Sequence, residues 1–252
     1  MFLACDIGNS RIKTGLFDGP VLKEIRTFKK KDELTAFINN FKKIEAAVSS
    51  VVPALTDEIL HSVIKACEPY IITRTGKFNL KIDYNTPETL GIDRICSAEG
   101  ALSLYMNSAD AANYNEETVL LSVDFGTATT VNVIKYPKIF AGGLIAPGLG
   151  TMFTSLNKET AQLPLIDSSE FKGLIGKSTK GSIASGVINS QAGLIIKVIN
   201  ELKIQESAGK VIVFTTGGNA RFILPHLTVD NTFDEGLVLR GIKAVYEVNT
   251  SK

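Results

Sequence analysis

Two short stretches of this chain repeat one pattern: Phe2-Leu-Ala-Cys-Asp6-Ile-Gly8-Asn-Ser10 and Leu121-Ser-Val-Asp124-Phe-Gly126-Thr127. Each is an apolar strand ending in Asp-x-Gly and followed by hydroxyl or amide residues. Each then enters a second apolar segment, Ile12 to Phe17 or Thr130 to Ile134. A strand, a tight turn and a returning strand put a carboxylate and several backbone N–H groups at a hairpin tip. Glycine there lets a phosphate approach the backbone, and Ser or Thr hydroxyls add donors. The Asp can orient a phosphate-bound cation or water. One such tip is an ordinary turn, because Asp and Gly are turn formers. Two with matched flanks suggest a duplicated scaffold holding a nucleotide between its halves.

Three further segments have chemical potential. Gly91-Ile-Asp93-Arg94 opens an apolar helix. An Asp in a first helical turn suits the helix dipole whatever its function. As chemistry, Asp93 can accept a proton from a hydroxyl while Arg94 grips a carboxylate through its planar fork. Gly176-Lys-Ser-Thr179 resembles the end of a Walker A loop but has Phe171 where that motif needs glycine, so Thr179 reads as a loop hydroxyl of another kind. Thr215-Thr216-Gly217-Gly218-Asn219 follows an apolar strand and reads as a ligand-approach corner or an ordinary turn. Gly142-Gly143 and Pro147-Gly148-Leu-Gly150 form a glycine-rich bend.

The elements that must position these residues alternate. Phe2–Asp6, Ile12–Phe17 and Val21–Thr27 read as an antiparallel meander. Asp32–Phe41 has helical periodicity, Glu45–Ser49 is a strand, Thr56–Cys67 a helix carrying His61, and Tyr70–Thr73 a strand. A strand at Leu80–Tyr84 precedes a helix from Gly91 to Met106. The polar stretch Asn107–Glu117 marks a boundary, giving domains 1–115 and 116–252. The plan then restarts with strands Thr118–Asp124, Thr130–Lys135 and Ile139–Leu144 and a helix near Thr151–Leu156. A loop at Asp167–Gly176, a long helix Ser182–Leu202, a strand Val211–Thr215 and a closing helix Asp234–Tyr246 follow. Short strands interleaved with helices indicate an α/β class.

Composition excludes several functions. The 252 residues carry 27 basic and 26 acidic side chains, net +1, so no basic excess suits a general nucleic-acid or membrane binder. Three cysteines without Cys-x-x-Cys spacing suggest reduced thiols and a cytoplasmic location. Two histidines far apart in sequence rule out a His-rich metal site. The N-terminus lacks signal-peptide character, and no apolar run reads as long enough to cross a bilayer.

Together the motifs resemble those of the type III pantothenate kinases, within the acetate and sugar kinase, heat-shock chaperone and actin superfamily. Asp6-Ile-Gly8-Asn9-Ser10 looks like the first phosphate motif, and Gly91-Ile-Asp93-Arg94, with Tyr84 upstream, like the substrate motif. Asp124-Phe-Gly126-Thr127-Ala-Thr129-Thr130 is similar to the second phosphate motif. Gly142 to Gly148 and Gly176 to Thr179 fit the two loops that follow. The resemblance implies two ribonuclease H-like domains of duplicated topology, with mixed sheets flanked by helices.

It also implies ATP-dependent phosphorylation of pantothenate, the first committed step toward coenzyme A. Asp93 would be the general base. Tyr84, Gly91, Ile92, Arg94 and Thr179 would bind pantothenate. Asp6, Ile7, Gly8, Asn9, Ser10, Arg11, Ile12 and Lys13 would line the phosphate site, and Thr127 would touch ATP. Asp124 would face a monovalent cation, K+ or NH4+, with Mg2+ accompanying ATP. A homodimer is implied too. Ser10 departs from the family's frequent Thr but keeps the hydroxyl. Two other functions compete: a nucleotide-binding regulator without turnover, and a sugar or acetate kinase. Retention of Asp93 with Arg94 argues against the first, and the short chain against the second.

Overall fold

The computed structural model describes residues 1–41, 43–52 and 69–251. The helix expected at Thr56–Cys67, with His61, lies outside them. The described chain forms two compact units. One comprises Met1–Tyr114, Pro137–Gly142 and Gly236–Lys252, the other Asn115–Tyr136 and Gly143–Glu235.

In the first unit, β1 (Phe2–Ile7), β2 (Ile12–Asp18) and β3 (Val21–Phe28) make the antiparallel meander. β4 (Glu45–Ser50) adds to β1 in parallel, and β5 (Tyr70–Ile71) to β4, giving the order β3-β2-β1-β4-β5. Strand side chains alternate between faces. Leu3, Cys5 and Ile7 therefore join a core with Leu34, Phe37 and Ile38 of α1 (Lys31–Ile38). On the opposite face Phe2 stacks on Tyr246 of α6 (Leu237–Thr250), ring centroids 4.7 Å apart.

The same helix packs on α2 (Ile92–Met106) through two glycines. A Cβ on Gly241 would lie 1.7 Å from the Cys96 carbonyl oxygen, and one on Gly100 2.0 Å from that of Leu237. The backbones touch, so only glycine fits at either position. This contact explains why α6 groups with the first unit, although the sequence boundary at 115/116 had assigned the closing helix to the second half. β6 (Lys81–Ile82) pairs in parallel with Ile139 and Phe140.

The second unit repeats the plan. β7 (Thr118–Phe125), β8 (Ala128–Lys135) and β9 (Ile139–Pro147), which enters this unit at Gly143, form the meander, β10 (Lys210–Thr216) runs parallel to β7, and β11 (Thr232–Phe233) parallel to β10. Its core joins Val119, Leu121, Val123 and Phe125 to α3 (Leu149–Glu159), α4 (Thr179–Gln205) and α5 (Ala220–Ile223). α4 starts three residues before the expected Ser182 because Ser178 caps it, its hydroxyl accepting from the Gly181 N–H at 3.1 Å. Contrary to the sequence expectation, α4 is long and apolar enough to cross a membrane by length and composition. However, 56% of its most apolar window is buried, and Ile183, Val187, Ile188 and Ile195 sit in the core.

Gly241→Ala tests the helix contact. Alanine adds helix propensity of about 1 kcal/mol. The collision with a backbone oxygen cannot be relieved by rotamer change, and overpacking of this kind costs about 3 kcal/mol or more. Denaturant unfolding should show net destabilisation; an unchanged or raised midpoint would contradict the contact.

Candidate functional site

The first hairpin tip is a four-residue loop, Gly8 to Arg11, closed by the Gly8 N–H donating to the Arg11 carbonyl at 3.1 Å. Asp6 and Lys13 are register partners on the adjoining strands. Asn9, Ser10 and Arg11 are exposed, Asp6, Gly8 and Lys13 half-buried, and Ile7 and Ile12 buried beneath them. A Cβ on Gly8 would come no closer than 3.4 Å to another protein atom. The folded chain alone therefore does not demand glycine there; omitting the side chain leaves room for a ligand.

The second tip is tighter. Gly126 and Thr127 connect β7 to β8, and the Gly126 N–H donates to the Ala128 carbonyl at 3.1 Å. Two other segments clamp this turn. The Gly148 N–H and the Thr151 hydroxyl both donate to the Thr127 carbonyl, at 3.0 and 2.9 Å. The Asn219 N–H donates to Phe125 O, and its amide to Gly126 O, both at 3.0 Å. Close approach is compulsory here. A Cβ on Gly148 would lie 2.3 Å from Gly126 O. One on Gly217, whose φ is +101°, would lie 2.5 Å from Asp124 Oδ1. The Thr215–Asn219 corner and the Pro147-Gly148 bend thus both build the second turn, a role their sequences left open.

Gly91 is the N-cap of α2, and Asp93 and Arg94 occupy its first turn. Asp93 Oδ1 accepts from the Arg94 N–H at 2.9 Å. A Cβ on Gly91 would lie 2.4 Å from that oxygen, which explains the glycine two positions before the Asp. Arg74 Nε donates to Leu90 O at 2.7 Å and anchors the approach to the helix. Arg94 is buried, its guanidinium carbon 5.8 Å from the Tyr84 ring centroid and 5.7 Å from that of Phe140. Tyr84 and Phe140 meet edge to face at 6.1 Å. Tyr84, Asp93 and Arg94 are thus brought together, with Ile92 buried in the core beneath. Thr179 is the exposed first residue of α4. A Cβ on Gly176 would strike Ser182 N at 2.2 Å, so the Gly176–Thr179 segment packs on the start of its own helix.

Electrostatics ties part of the first unit together. The Cys96 thiol is raised well above its ordinary value, first by complete burial, then by the negative charges of Asp6, Glu99 and Asp93. Asp6 and Asp93 therefore both lie within electrostatic reach of one buried sulfur. Sequence reasoning missed three contributors. Phe140 gave no motif signal, Gln191 is buried in α4, and Glu99 is the one charged residue in Ile95–Met106. Glu99 is 1% exposed and accepts from Asn79 Nδ2 and the Leu80 N–H, both at 2.9 Å. It thereby holds the segment leading to β6 and Tyr84. A cavity of about 330 Å³ beside Glu99, between α2 and α6, contains none of the residues singled out from sequence.

The model for type III pantothenate kinases matches residues 2–201. The chain belongs to the type III pantothenate kinase family. The enzyme of that name from Fervidobacterium nodosum is 32% identical over 260 residues, covering 98% of this chain and 97% of its own. That from Moorella thermoacetica is 32% identical over 266 residues, covering 99% and 100%. Among solved structures, a Campylobacter jejuni protein described as a Baf-family transcriptional activator superposes with a TM-score of 0.62 at 22% identity, covering 99% of this chain and 100% of its own. An archaeal actin homologue gives 0.52 at 11% identity, covering 98% and 99%. These likenesses place the kinase on the actin-like α/β fold.

Burial is the main cause that holds the Glu99 carboxyl above its ordinary value of 4.5, with the Asn79 and Leu80 hydrogen bonds opposing it. The folded protein therefore keeps this proton to higher pH than the unfolded chain. Stability of wild type relative to Glu99→Gln should fall as pH rises from about 4.5 through the raised value, then level off. Thermal melts of both proteins across pH 4 to 8 read this difference; a wild-type stability relative to the variant that stays constant or rises with pH would contradict the buried-carboxyl assignment.

Proposed function

We infer that this protein transfers the γ-phosphoryl group of ATP to the terminal hydroxyl of pantothenate, giving 4'-phosphopantothenate and ADP on the route to coenzyme A. The observation that carries the reading to particular residues is the start of α2. There a carboxylate and a buried guanidinium stand on consecutive residues, beside the Tyr84 and Phe140 rings. Asp93 takes the proton of the substrate hydroxyl as its oxygen forms a bond to the γ-phosphorus and the bond to the β-phosphate oxygen breaks. Arg94 pairs with the pantothenate carboxylate; stacking against aromatic rings keeps its fork oriented. Tyr84, Gly91, Ile92 and Thr179 complete the substrate contacts.

The residues at the two tips suit phosphate groups. Gly8 leaves open space, with Asn9, Ser10, Arg11 and Lys13 supplying donors, and Asp6 orients the cation-bound phosphates. Thr127 contacts ATP from a turn clamped on two sides. Phosphoryl transfer depends mostly on positioning and charge neutralisation, which such turns provide. Mg2+ would accompany the nucleotide phosphates. Among the described residues no cluster of three or more Asp, Glu, His or Cys could hold a metal, which suits an ion carried by substrate better than one held by the protein alone. Asp124, the carboxylate at the end of β7 beside the clamped turn, is the group that would face a weakly hydrated monovalent ion.

A homodimer is supported by Leu174 and Ile175, 70% and 78% exposed in the loop leading to Thr179. Buried free thiols at Cys5 and Cys96 suit a cytoplasmic setting.

A coupled ADP-release assay over pantothenate, sugars and carboxylic acids tests the function. Turnover should require pantothenate, and Asp93→Asn should lower kcat by about 10²–10⁴ with the fold retained. Wild-type turnover in that variant would remove Asp93 as base. Activity should also rise with K+ or NH4+ and fall in Na+ alone, because a smaller ion needs a tighter cage. Asp124→Asn should weaken the K+ response and leave the Mg2+ titration little changed. Full activity in Na+ would return Asp124 to a purely structural role.

A further inference from the structure

We propose that Gln191 is a positioning residue for ATP, acting through the second phosphate turn; the proposal rests on the reading that Thr127 contacts the nucleotide. Gln191 lies in the middle of α4 and is 2% exposed. Its Oε1 accepts from the hydroxyl of Thr129, itself 1% exposed. Its Nε2 donates to Pro147 O at 3.0 Å and contacts Met152 Sδ at 3.2 Å.

These bonds complete a ring. Thr129 follows Thr127 by two residues on β8. Pro147 precedes Gly148, whose N–H donates to Thr127 O. From Thr127 the path therefore runs through Thr129, Gln191, Pro147 and Gly148 back to Thr127. A side-chain amide is needed because one group must accept on one side and donate on the other. Glutamate could not donate to Pro147 O, and leucine could do neither. The ring sets the spacing between the turn and the bend that clamps it. Gly148 has no slack in that clamp, since a Cβ there would already collide with Gly126 O.

The alternative is that Gln191 merely stabilises the core. A paired substitution separates the two roles. Gln191→Leu alone leaves the Thr129 hydroxyl buried without its acceptor, which destabilises; adding Thr129→Val removes that group, so stability should partly return. The turn, however, remains untethered. Steady-state KM values for ATP and pantothenate, and thermal midpoints, are measured for wild type, Gln191→Leu, the double variant and Thr127→Val. A small misplacement of binding groups is costly. KM for ATP should therefore rise roughly ten-fold in Gln191→Leu and stay raised in the double variant as its midpoint recovers. KM for pantothenate should change less than about two-fold, although α4 begins at Thr179.

Recovery of KM for ATP together with the midpoint would overturn the proposal. So would a parallel rise in both KM values, the mark of a displaced helix. Should Gln191→Leu fail to fold, the double variant gives the same discrimination. A raised KM for ATP in Thr127→Val, with unchanged values in the Gln191 variants, would overturn the role of Gln191 and keep the turn as an ATP contact. An unchanged KM for ATP in Thr127→Val would remove the turn from ATP binding, and the proposal with it.

Discussion

Contact between backbones, allowed where a side chain is missing, is the constraint on which both units depend. In the first, Gly241 meets the Cys96 carbonyl and Gly100 meets that of Leu237. This fixes α2, and with it Asp93 and Arg94, against the closing helix. In the second, Gly148 and Gly217 press on the turn after Asp124. At each of these contacts an added methyl group would meet backbone, which cannot rotate away as a core side chain can. Such contacts locate a site more firmly than apolar packing, which tolerates repacking.

The two units share a strand plan and differ in what they attach to it. Each has a three-stranded meander whose first strand lies beside a parallel strand, with the Asp-x-Gly tip at the end of that first strand. The first unit leaves its tip open and adds a helix with a carboxylate–guanidinium pair. The second clamps its tip from two sides.

Much of the plan was legible because it is local. The alternation of Leu3, Cys5 and Ile7 against α1, and the second meander from Thr118, follow from period-two patterning and turn residues. Gly91, Asp93 and Arg94 were legible as one short motif at the start of a helix; that the glycine clears space for the Asp93 carboxylate is a structural matter. Long-range matters were not. Nothing in Leu237–Thr250 tells which unit it joins, since the partner of Gly241 is 145 residues earlier at Cys96. Glu99 carries no motif signal, and its oxygens accept from Asn79 and the Leu80 N–H, residues about twenty positions earlier in the chain. The start of α4 was placed late because the glycine-rich sequence after Ser178 weakens helical periodicity, while the cap depends on a single hydroxyl.

α4 shows how one element can serve several requirements. Its 27 residues span about 40 Å. A helix of that length with an apolar face needs burial, and the sheet of the second unit provides it through Ile183, Val187, Ile188, Ile195 and Ile199. A wholly apolar face would pack equally well after a small slide or rotation, because dispersion and hydrophobic contacts are not directional. Gln191 removes that freedom. Its amide must meet an acceptor at Pro147 and a donor at Thr129 together, and displacement by one residue would bury all three polar groups without partners. The hydrophobic face therefore stabilises the helix, while one polar residue fixes its register. Because the groups that fix the register flank Thr127, the same bonds that specify the core also hold the turn.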